Sequence, residues 1–146
     1  SDIEKEDSYG IPYVKEPVAS VDPDKLLNLL ESLRMPKKLT EFAQLFSESL
    51  RDGFENAADG KSVLSVLRRK DALRRPERFA QLLRLLKAAH RIDSDEKWLT
   101  SVEAVRSLDF RSISESATDK SRIPQLIEEA SVRAIDETLD KLTDQH

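Results

Sequence analysis

The sequence predicts an all-α fold, an irregular multi-helix array of about six helices behind an irregular N-terminal segment. Three observations carry that reading. Apolar residues recur at three- and four-residue spacings along most of the chain after residue 24. Proline, used only 6 times in 146 residues, stands at the start of several of these stretches, and glycine occurs only 3 times. Charged residues make up 36% and aromatics 5%, which suits helices joined by short connections and argues against a β-sandwich. A chain of this length buries roughly 70% of its unfolded surface, so one compact domain is expected without disulfide or metal. With 0 cysteines a disulfide framework is excluded.

Residues 1–23 contain Gly10, Pro12, Pro17 and Pro23 without a helical period, and no regular structure is expected there. At Asp22-Pro23 the pattern changes to an N-cap acid, a proline at the first helical position and an apolar face of Leu26, Leu27, Leu29, Leu30 and Leu33. That predicts a helix over about 24–34. Pro36 opens a second helix, with Leu39, Phe42, Ala43, Phe46 and Leu50 in register and Gly53 where a C-terminal cap belongs. A third, about 61–69, follows Asp59-Gly60 and ends in Arg68-Arg69-Lys70, cations that favour a helix C-terminus.

Pro76 starts the fourth helix, with Phe79, Leu82, Leu83, Leu86 and Ala89 on one stripe and Arg78, Arg84, Lys87 and Arg91 on other faces, ending near His90. Ser94 is expected to cap a fifth that ends near Ser107, with Trp98, Leu99, Val102, Val105 and Leu108 facing inward. Residues 109–122 lack a sustained period and read as a connection with a single helical turn. The last helix runs from about Pro124 to Leu142. The domains are thus 1–23, an irregular or strapping segment, and 24–146, the helical domain.

The net charge of -4 hides an asymmetry. Lys61 to Arg91 holds ten basic residues against Asp71 and Glu77, for +8, while residues 1–24 carry -5 and 93–146 carry -6. The middle of the chain is the anion-facing candidate. Its strongest feature is the corner Arg68, Arg69, Lys70, Arg74, Arg75 and Arg78, two basic clusters around a turn followed by a helix start. Guanidinium groups fork onto phosphate oxygens, and helix N-terminal amides add donors. The bland counterpart is a solvated face offset by acidic neighbours.

No catalytic or metal site emerges. Gly60-Lys61-Ser62 lacks the earlier glycine of a P-loop, since that position is Glu55, and reads as a turn entering a helix. The two histidines, His90 and His146, have no metal-ligand spacing, and Asp22-Pro23-Asp24 reads as a cap and first turn. Trp98 and Phe79 fall on apolar stripes as core, not as base-stacking platforms. No apolar run approaches the roughly 18–20 residues that span a bilayer, and Ser1 to Asp7 is acidic where a signal peptide is basic. A soluble, cytoplasmic protein is expected.

Several stretches, taken in order, resemble one family. They are Leu33-Arg34-Met35-Pro36, then Asp71-Ala72-Leu73-Arg74-Arg75-Pro76-Glu77-Arg78-Phe79, then Trp98-Leu99 with Val102 and Val105, and the tail from Ile123 through Leu126 and Glu129 to Ile135. Over about residues 24–137 they look like the C-terminal body and tail of bacterial CCA-adding tRNA nucleotidyltransferases of the poly(A) polymerase family. The sequence departs from that pattern at Lys87-Ala88-Ala89-His90-Arg91, where the family usually has acidic residues, and the segment before residue 24 matches nothing in it.

The resemblance implies a parent that adds C, C and A to tRNA 3′ ends from CTP and ATP with Mg²⁺. The catalytic Gly-Ser element of that parent's N-terminal head and the His-Asp region some members carry do not occur here, and Asp22-Pro23-Asp24, which has the spacing of its Asp-x-Asp pair, reads as a helix cap. The implied role is therefore a tRNA-binding, non-catalytic portion with no cofactor of its own. Its partners would be the tRNA phosphate backbone and the parent's N-terminal catalytic domain, with no membrane. The alternative is a helical protein–protein interaction module that docks through the basic corner.

Overall fold

The computed structural model describes residues 3–6, 12–14, 22–25, 28 and 36–145. Its elements in chain order are strands β1 (Ile3–Glu6) and β2 (Pro12–Val14) and helices α1 (Lys37–Ser49), α2 (Gly60–Arg69), α3 (Pro76–Ala88), α4 (Glu96–Arg106), α5 (Phe110–Ser116) and α6 (Ile123–Gln145), with 3-10 turns at Phe54–Asn56 and Lys120–Arg122. The architecture is all-α apart from one small strand pair. The chain divides into two compact units. The first takes the described residues up to Asn56 and Glu77–Asp95, and the second takes Ala57–Pro76 and the described residues from Glu96 on.

In the first unit, β1 and β2 pair antiparallel, with Ile3 opposite Val14, Glu6 opposite Pro12, and an irregularity between them. This corrects the expectation of no regular structure there. Ile3, Tyr13 and Val14 are β-formers, but runs of four and three residues are too short to show a period. Pro12 takes the first position of its strand, where a missing amide costs least. Pro23–Lys25 are helical, and the Asp24 amide donates to Asp22 Oδ1 at 3.0 Å, the cap expected of that acid. The rest of the helix expected over 24–34 lies outside the described residues, Asn28 excepted.

Helix α1 buries Phe42, Ala43 and Phe46 of its expected stripe together with Leu45, which the spacing does not include, while Leu39 and Leu50 are half-buried. Helix α3 buries Phe79, Leu82, Leu83 and Leu86, the stripe expected from spacing. Gly53 has φ +65°, which only glycine adopts at no steric cost. At the end of α3, the His90 amide donates to the Lys87 carbonyl and the Arg91 amide to the Leu86 carbonyl at 2.9 Å. That is a Schellman closure, and it puts His90 at φ 58°.

In the second unit, α6 packs on α4, α2 and α5. The apolar side chains these helices bury are Val63, Leu64, Val66 and Leu67 of α2, Trp98, Val102 and Val105 of α4, and Ile135 of α6. Trp98 is core, at 2% exposure, as expected. Leu99 is not, at 39%. With 3.6 residues per turn it sits about 100° around the helix from Trp98, off the face that Val102 and Val105 share.

Residues 109–122 depart from the expected connection. Asp109 caps a seven-residue helix by accepting from the Ser112 amide at 3.0 Å, and an Arg111–Glu115 pair at 3.0 Å spans one turn of it. Helix α5 buries none of its residues, which is why no apolar period announces it.

Candidate nucleic-acid interface

Helix α2 carries the first half of the basic corner, and its two ends place it. At the N-terminus Asp59 and Ser62 form a reciprocal capping box: the Ser62 amide donates to Asp59 Oδ1 at 2.8 Å and the Asp59 amide to Ser62 Oγ at 3.2 Å. The Ser62 hydroxyl, donating to Asp59 Oδ1 at 2.6 Å, and then the Ser62 amide hold the Asp59 carboxyl below the usual aspartate value, and Ser121 does the same to Asp119. Gly60-Lys61-Ser62 is thus a helix entry, as its sequence suggests. The Gly60 amide donates to Asp136 Oδ1 of α6 at 2.6 Å, and a Cβ on Gly60 would stand 2.4 Å from the Val132 carbonyl oxygen.

At its C-terminus α2 ends in a second Schellman closure. The Asp71 amide donates to the Arg68 carbonyl at 3.1 Å and the Ala72 amide to the Leu67 carbonyl at 2.8 Å. Ala72 and Leu67 are both fully buried, the apolar contact that accompanies the motif. Asp71 takes φ 56° at the position glycine usually fills. The chain then makes one more turn, closed by the Arg75 amide on the Asp71 carbonyl at 2.9 Å, and enters α3 at Pro76.

This backbone distributes the basic residues unevenly. Arg68, Arg69, Arg74 and Arg75 are exposed. Lys70, expected among them, is 3% exposed and does not belong to the surface set, because the C-cap position turns it inward. Arg78 lies half-buried on the first turn of α3, in the other unit. Arg68 Nη1 pairs with Glu128 Oε1 of α6 at 3.2 Å, while Arg74 Nη2 and Arg75 Nε converge on Asp71 Oδ2 at 3.0 and 3.5 Å.

One cation at this corner escapes sequence reasoning. Arg106, in the last turn of α4, donates through Nη1 to the Leu73 carbonyl inside the Asp71–Arg75 turn. It lies 33 residues away in sequence, beyond any spacing argument. The acidic counterpart is an open groove of about 560 Å³ between α2 and α6, bordered by Lys61, Glu128, Arg133, Asp136 and Asp140. Among the described residues, no group of three or more His, Cys, Asp or Glu could hold a metal ion, and no helix is long and apolar enough to cross a membrane.

No protein-family profile matches the chain, and no solved structure matches it at a significant level. Curated proteins do. The chain is 35% identical over 123 residues to the multifunctional CCA protein of Dechloromonas aromatica, a match covering 77% of this chain and 30% of the relative. It is 40% identical over 83 residues to the multifunctional CCA protein of Aromatoleum aromaticum, covering 51% of this chain and 20% of that protein. With the CCA-adding enzyme of Bordetella pertussis the figures are 32% over 104 residues, 70% and 28%. The chain therefore spans less than a third of the length of these relatives, consistent with the C-terminal portion that its motifs resemble. By sequence it is a relative of the CCA-adding enzymes, matching one portion of them.

Proposed function

We propose that this chain is a tRNA-binding portion of a CCA-adding system, acting in the cytoplasm and binding without catalysing. Arg68, Arg69, Arg74 and Arg75 of one unit contact the phosphate backbone, with Arg78 of the other as a further contact. Shape and charge are read in preference to bases, as is usual for duplex RNA. The observation that carries the reading is the exposed arginine turn after α2, in a chain whose relatives are named for CCA and CCA addition.

The test is titration of the chain with a folded tRNA at two salt concentrations, with duplex DNA of equal charge as control. Preferential binding to tRNA that weakens with salt supports the reading. Arg74→Gln with Arg75→Gln removes two phosphate contacts, so the slope of log affinity against log salt falls by roughly two with helicity unchanged. Absence of binding at low salt overturns it in favour of a module that docks on an acidic protein surface.

A further inference from the structure

The arginine turn is not empty of anion. Two guanidinium groups, from Arg74 and Arg75, close on a single carboxylate oxygen, Asp71 Oδ2, and a third, from Arg106, is fastened to the same turn through the Leu73 carbonyl. Convergence of guanidinium donors on one oxygen is the arrangement that a phosphate oxygen accepts. Asp71 holds its carboxylate there from a left-handed backbone that an L residue rarely adopts. Glycine would fill that position without strain, and the carboxylate is what aspartate adds.

We infer that Asp71, Arg74, Arg75 and Arg106 form a phosphate subsite in which the Asp71 carboxylate stands in for the ligand until a backbone phosphodiester of nucleic acid displaces it. The inference rests on the tRNA-binding reading above and deepens it. Displacement is feasible because the pairs face water. Arg74 is 75% exposed and Arg75 44%. Exposed ion pairs of this kind are weak, so a polyanion competes with them readily. Arg106 needs no reorganisation, since its hydrogen bond to Leu73 already orients it, and a guanidinium keeps four further donors for an incoming oxygen.

The discriminating variant is Asp71→Asn, which removes the charge and keeps a side chain that tolerates the left-handed region. Asp71→Gly is the second, in case asparagine disturbs the turn. With the same tRNA, either variant is expected to bind at least about threefold tighter at low salt, with a salt slope steeper by about one. The gain should vanish in the Arg74→Gln, Arg75→Gln background. Arg106→Gln should lower the slope by about one at unchanged helicity.

Glu115→Gln makes the same charge change on α5 and should leave binding as it is. Equal affinity and slope for Asp71→Asn and the parent overturns the subsite while leaving the tRNA reading intact. An equal gain from Glu115→Gln also overturns it, because net charge would then explain the effect. If the parent does not bind tRNA at low salt, the tRNA reading falls and the subsite, which rests on it, falls with it.

Discussion

The two ends of α2 meet one physical requirement in opposite ways. Both must satisfy backbone groups that the helix leaves without partners. At the N-terminus the amides are taken by carboxylates, Asp59 from the adjoining turn and Asp136 from α6, 76 residues distant, and the contact is so close that Gly60 has no room for a Cβ. At the C-terminus the carbonyls are taken by the chain's own next amides, the side chains are cations, and the turn stays open to solvent. One end is closed by tertiary packing and the other is closed locally. Stability should therefore depend on the first end, and anion binding on the second.

The largest test of that contrast is Gly60→Ala. Its Cβ must push α2 from the Val132 carbonyl and the Asp136 carboxylate, and a loss of about 2–3 kcal/mol in urea unfolding is expected. A loss under about 0.5 kcal/mol would mean that this end is no tighter than the other. Asp71→Gly should act in the opposite direction at the open end. Relief of the left-handed strain adds about 1 kcal/mol, less a few tenths for the exposed pairs with Arg74 and Arg75, so the midpoint of thermal unfolding should rise.

Smaller still is Arg68→Gln, which breaks the exposed pair with Glu128 and should change stability by less than about 0.5 kcal/mol. If the open end is the binding end, the same change reduces the salt slope of tRNA binding by about one. The finest test uses pH. Ser62 holds the Asp59 carboxyl below the usual aspartate value of 3.8, so its contribution is fully present above that value and is lost as pH falls through the lower folded one. Asp59→Asn keeps a capping oxygen without the charge. Thermal unfolding should show the parent ahead of this variant at neutral pH and the gap closing in acid.

What can be read from residues alone follows from which forces leave a local trace. Helices α2, α3 and α4 lie within about two residues of their expected spans, because each buries a stripe whose spacing is that of the helix itself, whereas α6, which buries Ser131 and Ile135, runs three residues past its expected end at Leu142. Helix α5 buries nothing and is held by the Asp109 cap and the Arg111–Glu115 pair, features also common in loops. The strand pair is too short for alternation to register. At the candidate interface the arginines themselves are plain, yet nothing in the triplet Arg68-Arg69-Lys70 tells which member turns inward. That depends on α2 ending at Arg69, which leaves Lys70 as the C-cap residue. Arg106 and Glu128 reach the corner only through the packing of α4 and α6 in the second unit.

The burial of Trp98 also gives the molecule an internal optical probe. It is the single tryptophan of the chain and belongs to the second unit, so the first contributes no indole emission. Red-edge fluorescence during denaturation reports the unit that carries the arginine turn, whereas far-ultraviolet dichroism sums the helices of both. Coincident transitions would mark a single cooperative melting event, and separated ones would give each unit its own unfolding free energy.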